Sequence, residues 1–238
     1  MSGHSKWNNI KRKKEKTDSQ RAKIFTKIGR ELSVAVKEGG PDPDINSKLR
    51  DCISKAKSNN VPNDNIERII KKAASSTDGS EFESITYEGY GPHGVAIIVE
   101  TLTDNRNRTA GNLRHYFSKY GGNLGSTGCV SFMFSPKGVI ILENFGENIS
   151  QVEEDIINSG AIDFETEDEN IIIYTQKEDY EQIYNFLKNK KHNIISSEIE
   201  MIPDNYTELT PEESEKVDVL LEILDEDEDV KNVYHNLK

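Results

Sequence analysis

The sequence predicts an α+β multidomain fold, in which an N-terminal three-helix bundle precedes two α+β domains, the second inserted in the first. Apolar residues recur at helical spacing up to about residue 73. From residue 85 onward, short β-branched runs alternate with helical stretches, and a Ser-, Asp- and Gly-containing segment separates the two patterns. A chain of 238 residues has room for two to three small domains.

Charge is distributed unevenly along this chain, whose formal net charge is −12. Residues 1–80 carry 18 Lys and Arg against 10 Asp and Glu, whereas residues 81–238 carry 12 against 32. The first 40 residues alone hold 11 basic and 4 acidic side chains. A basic end joined to an acidic body indicates a polyanionic partner such as nucleic acid, bound at the basic end.

The first 16 residues offer little apolar surface and predict a mobile arm or a frayed first helix. They contain a tryptophan and a run of cations, namely Lys6, Trp7, Lys11, Arg12, Lys13, Lys14 and Lys16. Such a run is often a solvated tail, but here it adjoins a basic helix in an acidic protein, which favours phosphate binding. Trp7 either packs on the bundle or stacks on an unpaired base.

The first long helix is predicted from Asp18 or Ser19 to about Glu38, before a Gly-Gly-Pro stop. On a helical wheel, one arc of ~120° holds six apolar residues. These are Ile24, Phe25, Ile28, Leu32, Ala35 and Val36. A separate arc of ~80° holds four cations and no acidic residue, and the cations are Lys23, Lys27, Arg30 and Lys37. This face is either a solvated surface or a set of phosphate contacts, and we predict the latter.

Two shorter helices complete the predicted bundle, which we place at residues 1–76. Asp44 or a neighbour caps the second, whose apolar stripe comprises Ile45, Leu49, Ile53 and Ala56 and which ends near residue 60. The third begins near residue 63, with Ile66, Ile69, Ile70 and Ala73 as its core face. Residues 74–80 are predicted to form a linker.

The rest of the chain is predicted to form a discontinuous middle domain, 81–135 plus 204–238, with 136–203 inserted in it. The middle domain contains strands at 85–90, 95–101, 130–134 and 230–235, with helices at 105–120 and 211–224. The insert reads strand, helix, strand, strand, helix, strand, at 138–143, 150–159, 163–165, 171–175, 178–188 and 193–201. That order is typical of a ferredoxin-like unit.

The motifs of several enzyme and cofactor classes do not occur in the sequence. Its two cysteines, Cys52 and Cys129, form no CxxC pair, and its five histidines show no metal-ligand spacing. A glycine-rich stretch at 121–128 lacks the Walker lysine, and no G-x-S-x-G elbow or RNP1 pattern is found. The acidic run 225–229 lacks the spacing of an EF-hand loop. We therefore expect a cytoplasmic protein that is not an enzyme, binds no cofactor or metal, and does not enter a membrane.

A second contact is predicted around Arg106 and Arg108, which open a helix after a buried strand. Free N–H groups at a helix start suit a phosphate, and arginine binds phosphate at two points. The structural alternative is that Asp104 caps the helix and pairs with Arg108, while Arg106 bridges to a carboxylate of the acidic body.

Several motifs together resemble those of the YebC/PmpR family over essentially the whole chain. They are Gly3-His4-Ser5-Lys6-Trp7, Lys23-Ile24-Phe25-Thr26-Lys27, Tyr87-Glu88-Gly89-Tyr90-Gly91-Pro92, Asp104-Asn105-Arg106-Asn107-Arg108-Thr109, Gly121-Gly122-Asn123-Leu124-Gly125 and Val233-Tyr234-His235-Asn236. The resemblance implies a three-helix domain and two α+β domains, one inserted in the other. It also implies a regulator of gene expression, either a DNA-binding transcriptional regulator or a ribosome- or RNA-binding translation factor. An enzyme acting on nucleic acid is the third hypothesis.

Overall fold

A computed structural model describes residues 18–75, 82–143, 149–167 and 170–238 of the chain. Its first three helices are α1 (Asp18–Gly39), α2 (Ser47–Ser58) and α3 (Asn63–Ser75). They enclose a core to which every apolar residue of the predicted α1 stripe contributes, with Ile28, Leu32, Ala35 and Val36 buried and Ile24 and Phe25 packed against them. The predicted bundle and the α1 core face are therefore confirmed, although α3 extends into the expected linker.

The cap of α2 is Asn46, two residues after Asp44 and among the neighbours that the prediction allowed. The Asn46 side chain accepts a hydrogen bond from the Leu49 amide at 3.1 Å and donates to the carbonyl oxygens of Ala35 and Gly40, both at 2.8 Å. The buried amide thus ties the start of α2 to the end of α1. Ile45 lies outside the helix and is 81% exposed, so its assignment to the apolar stripe was wrong.

The first sheet contains β1 (Glu83–Tyr90), β2 (Ala96–Thr103), β3 (Asn123–Leu124) and β8 (Val230–His235), in the order β3-β1-β2-β8. All its pairings are antiparallel. Two helices, α4 (Arg106–Lys119) and α7 (Pro211–Glu226), cover one face. Their apolar sides meet the alternating residues Val95, Ile97 and Val99 around the fully buried Phe117. The last strand of the chain, which begins 147 residues after the start of β1, therefore completes the first sheet, as predicted.

No strand forms at 130–134, where one was predicted. Ser131–Met133 is a 3₁₀ turn, and the next strand begins only at Phe134. The cause is the buried Glu88, whose carboxylate accepts hydrogen bonds from the amides of Gly128, Val130 and Ser131 at 2.8–2.9 Å. Those amides are then unavailable to a strand ladder. Burial raises the pKa of Glu88, but the three backbone hydrogen bonds outweigh it and hold the pKa below its ordinary value.

The second sheet contains four further strands and carries two helices. They are β4 (Phe134–Glu143), α5 (Ile149–Ser159), β5 (Asp163–Glu167), β6 (Asn170–Gln176), α6 (Tyr180–Asn189) and β7 (Asn193–Pro203). The strand order is β5-β6-β4-β7, with antiparallel pairs throughout. This is the ferredoxin-like arrangement, and α5 and α6 cover one of its faces. The predicted fold class, N-terminal helices followed by α+β units, is confirmed.

Candidate nucleic-acid interface

Seven of the predicted contact residues precede the part of the chain that the structure describes. They are Lys6, Trp7, Lys11, Arg12, Lys13, Lys14 and Lys16. Lys37 lies exposed in the last turn of α1.

The other three cations of the predicted α1 face contact the C-terminal end of α7. Lys23 Nζ lies 3.6 Å from the Glu226 carboxylate, and Lys27 Nζ donates to the carbonyl oxygen of Asp225. Arg30 donates to the Glu228 carbonyl oxygen at 2.9 Å and to the Asp229 carboxylate at 3.1 Å. Cations near the C-terminus of a helix also interact favourably with its dipole. The acidic run 225–229 thus covers the basic face of α1 in this structure.

Asp229 joins three parts of the fold. Its carboxylate, 4% exposed, accepts hydrogen bonds from Arg30 of α1, from Arg108 and Thr109 of α4, and from Thr103 at the end of β2. Burial raises the pKa of this carboxyl, but the hydrogen bonds from Arg108 and Thr109 and the charges of Arg108 and Arg30 hold it below its usual range. Sequence reasoning missed Asp229, because an acidic run looks like a solvated helix end.

Arg108 and Arg106 occupy different environments. The Arg108 guanidinium donates to Asp229 at 2.7 Å and to Asp104 at 2.8 Å, as the structural alternative anticipated for Asp104. Asp104 does not cap the helix, however, because Asn105 Oδ1 accepts the Arg108 amide at 3.1 Å. Arg106 is exposed, and its guanidinium makes no ion pair with any described residue. The sequence analysis assigned both arginines to one contact, but only Arg108 binds the buried carboxylate of Asp229.

Within the described residues there is no group of three or more His, Cys, Asp or Glu side chains that could hold a metal ion. Within the same residues, no helix combines the length and apolar character that crossing a membrane requires. Both cysteines are unpaired thiols and half-buried. Burial, followed by the nearby Glu31 charge, raises the pKa of Cys52 to about 12, so that thiol stays protonated at neutral pH.

The fold and these contacts define a class of α+β protein in which a basic helical bundle packs on an acidic body. Two family models match the chain: the TACO1/YebC protein N-terminal domain over residues 5–76, and the TACO1/YebC second and third domain over residues 82–237. The chain belongs to the TACO1/YebC family, which confirms the resemblance that its motifs indicated.

Curated relatives cover nearly the whole chain. A probable transcriptional regulatory protein, ORF2U, of Hathewaya histolytica is 53% identical over 99% of this chain and 96% of its own length. A probable transcriptional regulatory protein of Acetivibrio thermocellus is 53% identical over 99% and 98%. Among solved structures, the conserved hypothetical protein Aq1575 of Aquifex aeolicus superposes with a TM-score of 0.84 at 42% identity, covering 94% of this chain and 92% of the other.

Proposed function

We propose that this protein is a non-enzymatic, cytoplasmic regulator of gene expression that binds DNA and acts in transcription. The observation that carries the proposal is the concentration of 11 basic residues against 4 acidic ones in the first 40 positions of a chain with net charge −12. Such a basic end attracts a phosphate backbone, while the acidic body opposes contact elsewhere. The relatives named probable transcriptional regulatory proteins support the same role.

The contact surface we propose begins with the N-terminal segment and continues along α1 to the start of α4. It comprises Lys6, Trp7, Lys11, Arg12, Lys13, Lys14, Lys16, Lys23, Lys27, Arg30, Lys37, Arg106 and Arg108. Phosphate contacts from such cations position a protein on nucleic acid without reading its sequence. Because Lys23, Lys27 and Arg30 contact the end of α7, their use on DNA requires that phosphates replace the groups of residues 225–229.

A second candidate, an RNA- or ribosome-binding translation factor, is favoured by the charge of α7. This helix packs beside α4 and exposes Glu212, Glu215 and Glu222. A duplex presents phosphates on both sides of its grooves, so one row would approach these carboxylates, whereas a single strand can avoid them. The two candidates therefore differ in whether duplex or single-stranded nucleic acid binds more tightly.

The test of binding uses the full-length chain with a fluorescent 20-base-pair DNA duplex and with single-stranded RNA of the same length. We expect Lys11, Lys13 and Lys14 together changed to Glu to weaken binding and to reduce the slope of log K against log salt by about 2–3 on duplex DNA, since each lost contact removes roughly 0.9. The matched control changes three exposed lysines of the inserted unit, Lys177, Lys188 and Lys191, to Glu.

Equal losses in the two charge-reversed proteins, or no loss in the first, would contradict the proposal. If the RNA binds more tightly than the duplex at the same salt concentration, the translation candidate replaces the transcription candidate.

The proposed lack of catalysis has its own test. Purified protein with magnesium should neither hydrolyse nucleotides nor cut DNA or RNA. Activity that follows the protein through several columns and is lost on substitution of one carboxylate would show that it is an enzyme.

A further inference from the structure

We propose that the exposed face of α4 is a binding surface for the sugar–phosphate backbone of a single strand of nucleic acid. The inference rests on the proposed function in that the ligand is nucleic acid. It adds a site on the acidic body, and it assigns Gly111, Arg114 and Lys119 to that site.

Charge sets α4 apart from the rest of the body. Its 14 residues include Arg106, Arg108, Arg114 and Lys119, and none is Asp or Glu. Residues 81–238 as a whole carry 32 acidic against 12 basic side chains. One third of the basic residues of that region thus lie on one helix, which makes α4 the place where this part of the molecule can accept a polyanion.

The cations of α4 lie mainly on the side that faces away from the sheet. Leu113 and Phe117 face the core, while Arg106, Arg114 and Lys119 are exposed. Arg108 is held by Asp229 and Asp104, but no described residue forms an ion pair with Arg106 or Arg114. In α1, by contrast, three of the cations already contact residues 225–229. The guanidinium groups of Arg106 and Arg114 need not exchange an ion pair with a described residue to bind phosphate.

Gly111 supplies an observation that is independent of charge. It lies in the middle of α4 on the exposed face, and a Cβ built there would meet no atom within 4 Å apart from the adjoining backbone of its own helix. No described neighbour therefore requires a glycine, although glycine within a helix is less stable than alanine. A missing side chain between Asn107 and Arg114 leaves the helix backbone open to close approach. A ligand backbone is the partner that such an opening suits.

The C-terminal end of α4 adds an open cavity of about 490 Å³. Its lining includes Lys119 and Tyr120 of the α4 end, Lys216 and Val219 of α7, and His93. Lys119 Nζ lies 5.3 Å from the centre of the Tyr120 ring. An aromatic ring beside two ammonium groups suits a nucleotide, whose base stacks while its phosphate is neutralised. An unpaired base can stack on the Tyr120 ring in this open cavity, whereas a base within a duplex is already stacked and paired, which favours a single strand.

The experiment compares the full-length chain with the double variant Arg114→Glu, Lys119→Glu, using a fluorescent single-stranded RNA 20-mer, the same sequence as single-stranded DNA, and duplex DNA. We expect about tenfold weaker binding of the single strands and a salt slope smaller by about 1.4, since two contacts of roughly 0.7 are lost. Binding of the duplex should change less than twofold. The control, Lys188→Glu with Lys191→Glu, makes the same change in net charge on α6 and the turn that follows it.

A second variant separates binding from folding. Gly111→Gln should raise Tm by roughly 2–4 °C, because glutamine favours the helix, and yet weaken single-strand binding several-fold. A purely structural role for α4 predicts no loss of binding in a more stable protein.

The inference is overturned if the α4 reversal weakens binding no more than the control, if the duplex loses as much affinity as the single strands, or if Gly111→Gln binds normally. Failure of the proposed function looks different, because the unsubstituted chain would then bind none of the three oligonucleotides. If the Lys11, Lys13 and Lys14 reversal weakens binding while the α4 reversal does not, only the α4 site is excluded.

Discussion

Asp229 shows how much of this structure depends on one side chain. A buried carboxylate that accepts hydrogen bonds from two arginines and two threonines has its charge compensated, whereas its removal takes one acceptor from each of those donors. It also connects α1 to α4 and β2, which are far apart in sequence. Its role is therefore to hold the helical bundle on the first sheet.

We predict that Asp229→Ala lowers the free energy of unfolding by about 3–5 kcal/mol, the usual cost of removing one partner from a buried ion pair. Urea denaturation followed by circular dichroism measures it. Glu222→Ala, an exposed acid on α7, should change stability by less than about 0.5 kcal/mol. A loss of similar size in both variants would mean that the Asp229 network contributes little.

The two arginines at the start of α4 lead to a second prediction at this scale. Arg108→Ala should cost about 1.5–3 kcal/mol of stability, because charge-assisted hydrogen bonds to a buried carboxylate are lost. Arg106→Ala should leave stability within about 0.5 kcal/mol and reduce nucleic-acid binding. A fall in Tm for Arg106→Ala with normal binding would assign it a structural role instead.

At the scale of helices, the end of α7 and the basic face of α1 form an internal ion-pair surface. The sequence contains the two features as a basic stripe and an acidic run, and the pairs Lys27–Asp225 and Arg30–Glu228 are each 198 residues apart. Their contact means that residues 225–229 occupy cations that a phosphate backbone would otherwise reach. If the proposed function holds, nucleic acid must compete with the end of α7 for Lys23 and Arg30.

We expect Glu226→Lys with Glu228→Lys to increase affinity for nucleic acid roughly fivefold beyond a control, since two exposed ion pairs contribute on the order of 1 kcal/mol together. The control is Glu215→Lys with Glu222→Lys, which makes the same charge change on the exposed side of α7. Anisotropy titrations at 100 mM salt, with melting curves for each protein, provide the measurement. Equal gains in affinity for the two variants would indicate that the added positive charge attracts nucleic acid at long range and that the end of α7 does not compete with it.

At the scale of the whole molecule, the bundle also packs on the inserted sheet, through charged groups. Arg50 of α2 binds both oxygens of Glu181 at 3.0 and 2.8 Å and lies over the ring of Tyr184 on α6. Beside it, burial and then the neighbouring Glu181 charge raise the pKa of Asp51 to about 7. The interface is therefore more stable when Asp51 is protonated. The domain boundaries at residues 76, 81, 135 and 203 remain a prediction.

The raised pKa of Asp51 predicts that the contribution of this residue to the free energy of unfolding falls as pH rises. The Asp51 pKa is higher in the folded chain than the value of about 3.9 expected in the unfolded chain. The protonated form thus stabilises the fold below about pH 4, and that contribution is lost progressively as pH rises to about 7. Asp51→Asn should remove this part of the pH dependence and stabilise the protein by about 1–2 kcal/mol at pH 8. Denaturation at pH 5 and pH 8 tests it, and an unchanged pH profile in the variant would contradict it.

Local patterns in the sequence were sufficient for most of the elements. Hydrophobic period, capping residues and glycine stops depend on residues within a few positions of one another, so the helices and nearly all the strands were predicted. The errors arose where a distant group intervened. Glu88 takes the amides of residues 128, 130 and 131 from the predicted strand, and Asn46, by bonding to the end of α1, begins α2 only after Ile45.

What the sequence determined by itself is the fold class, the order of the elements and the unequal distribution of charge, because each follows from local composition and period. Only the tertiary structure decided which cations are already paired. Arg30 and Arg108 meet Asp229 across separations of 199 and 121 residues, and no local pattern relates residues so far apart. Ion pairing depends on distances of a few ångströms, which folding alone sets. Only these distances show that the exposed cations of α4 differ from those of α1, three of which contact residues 225–229.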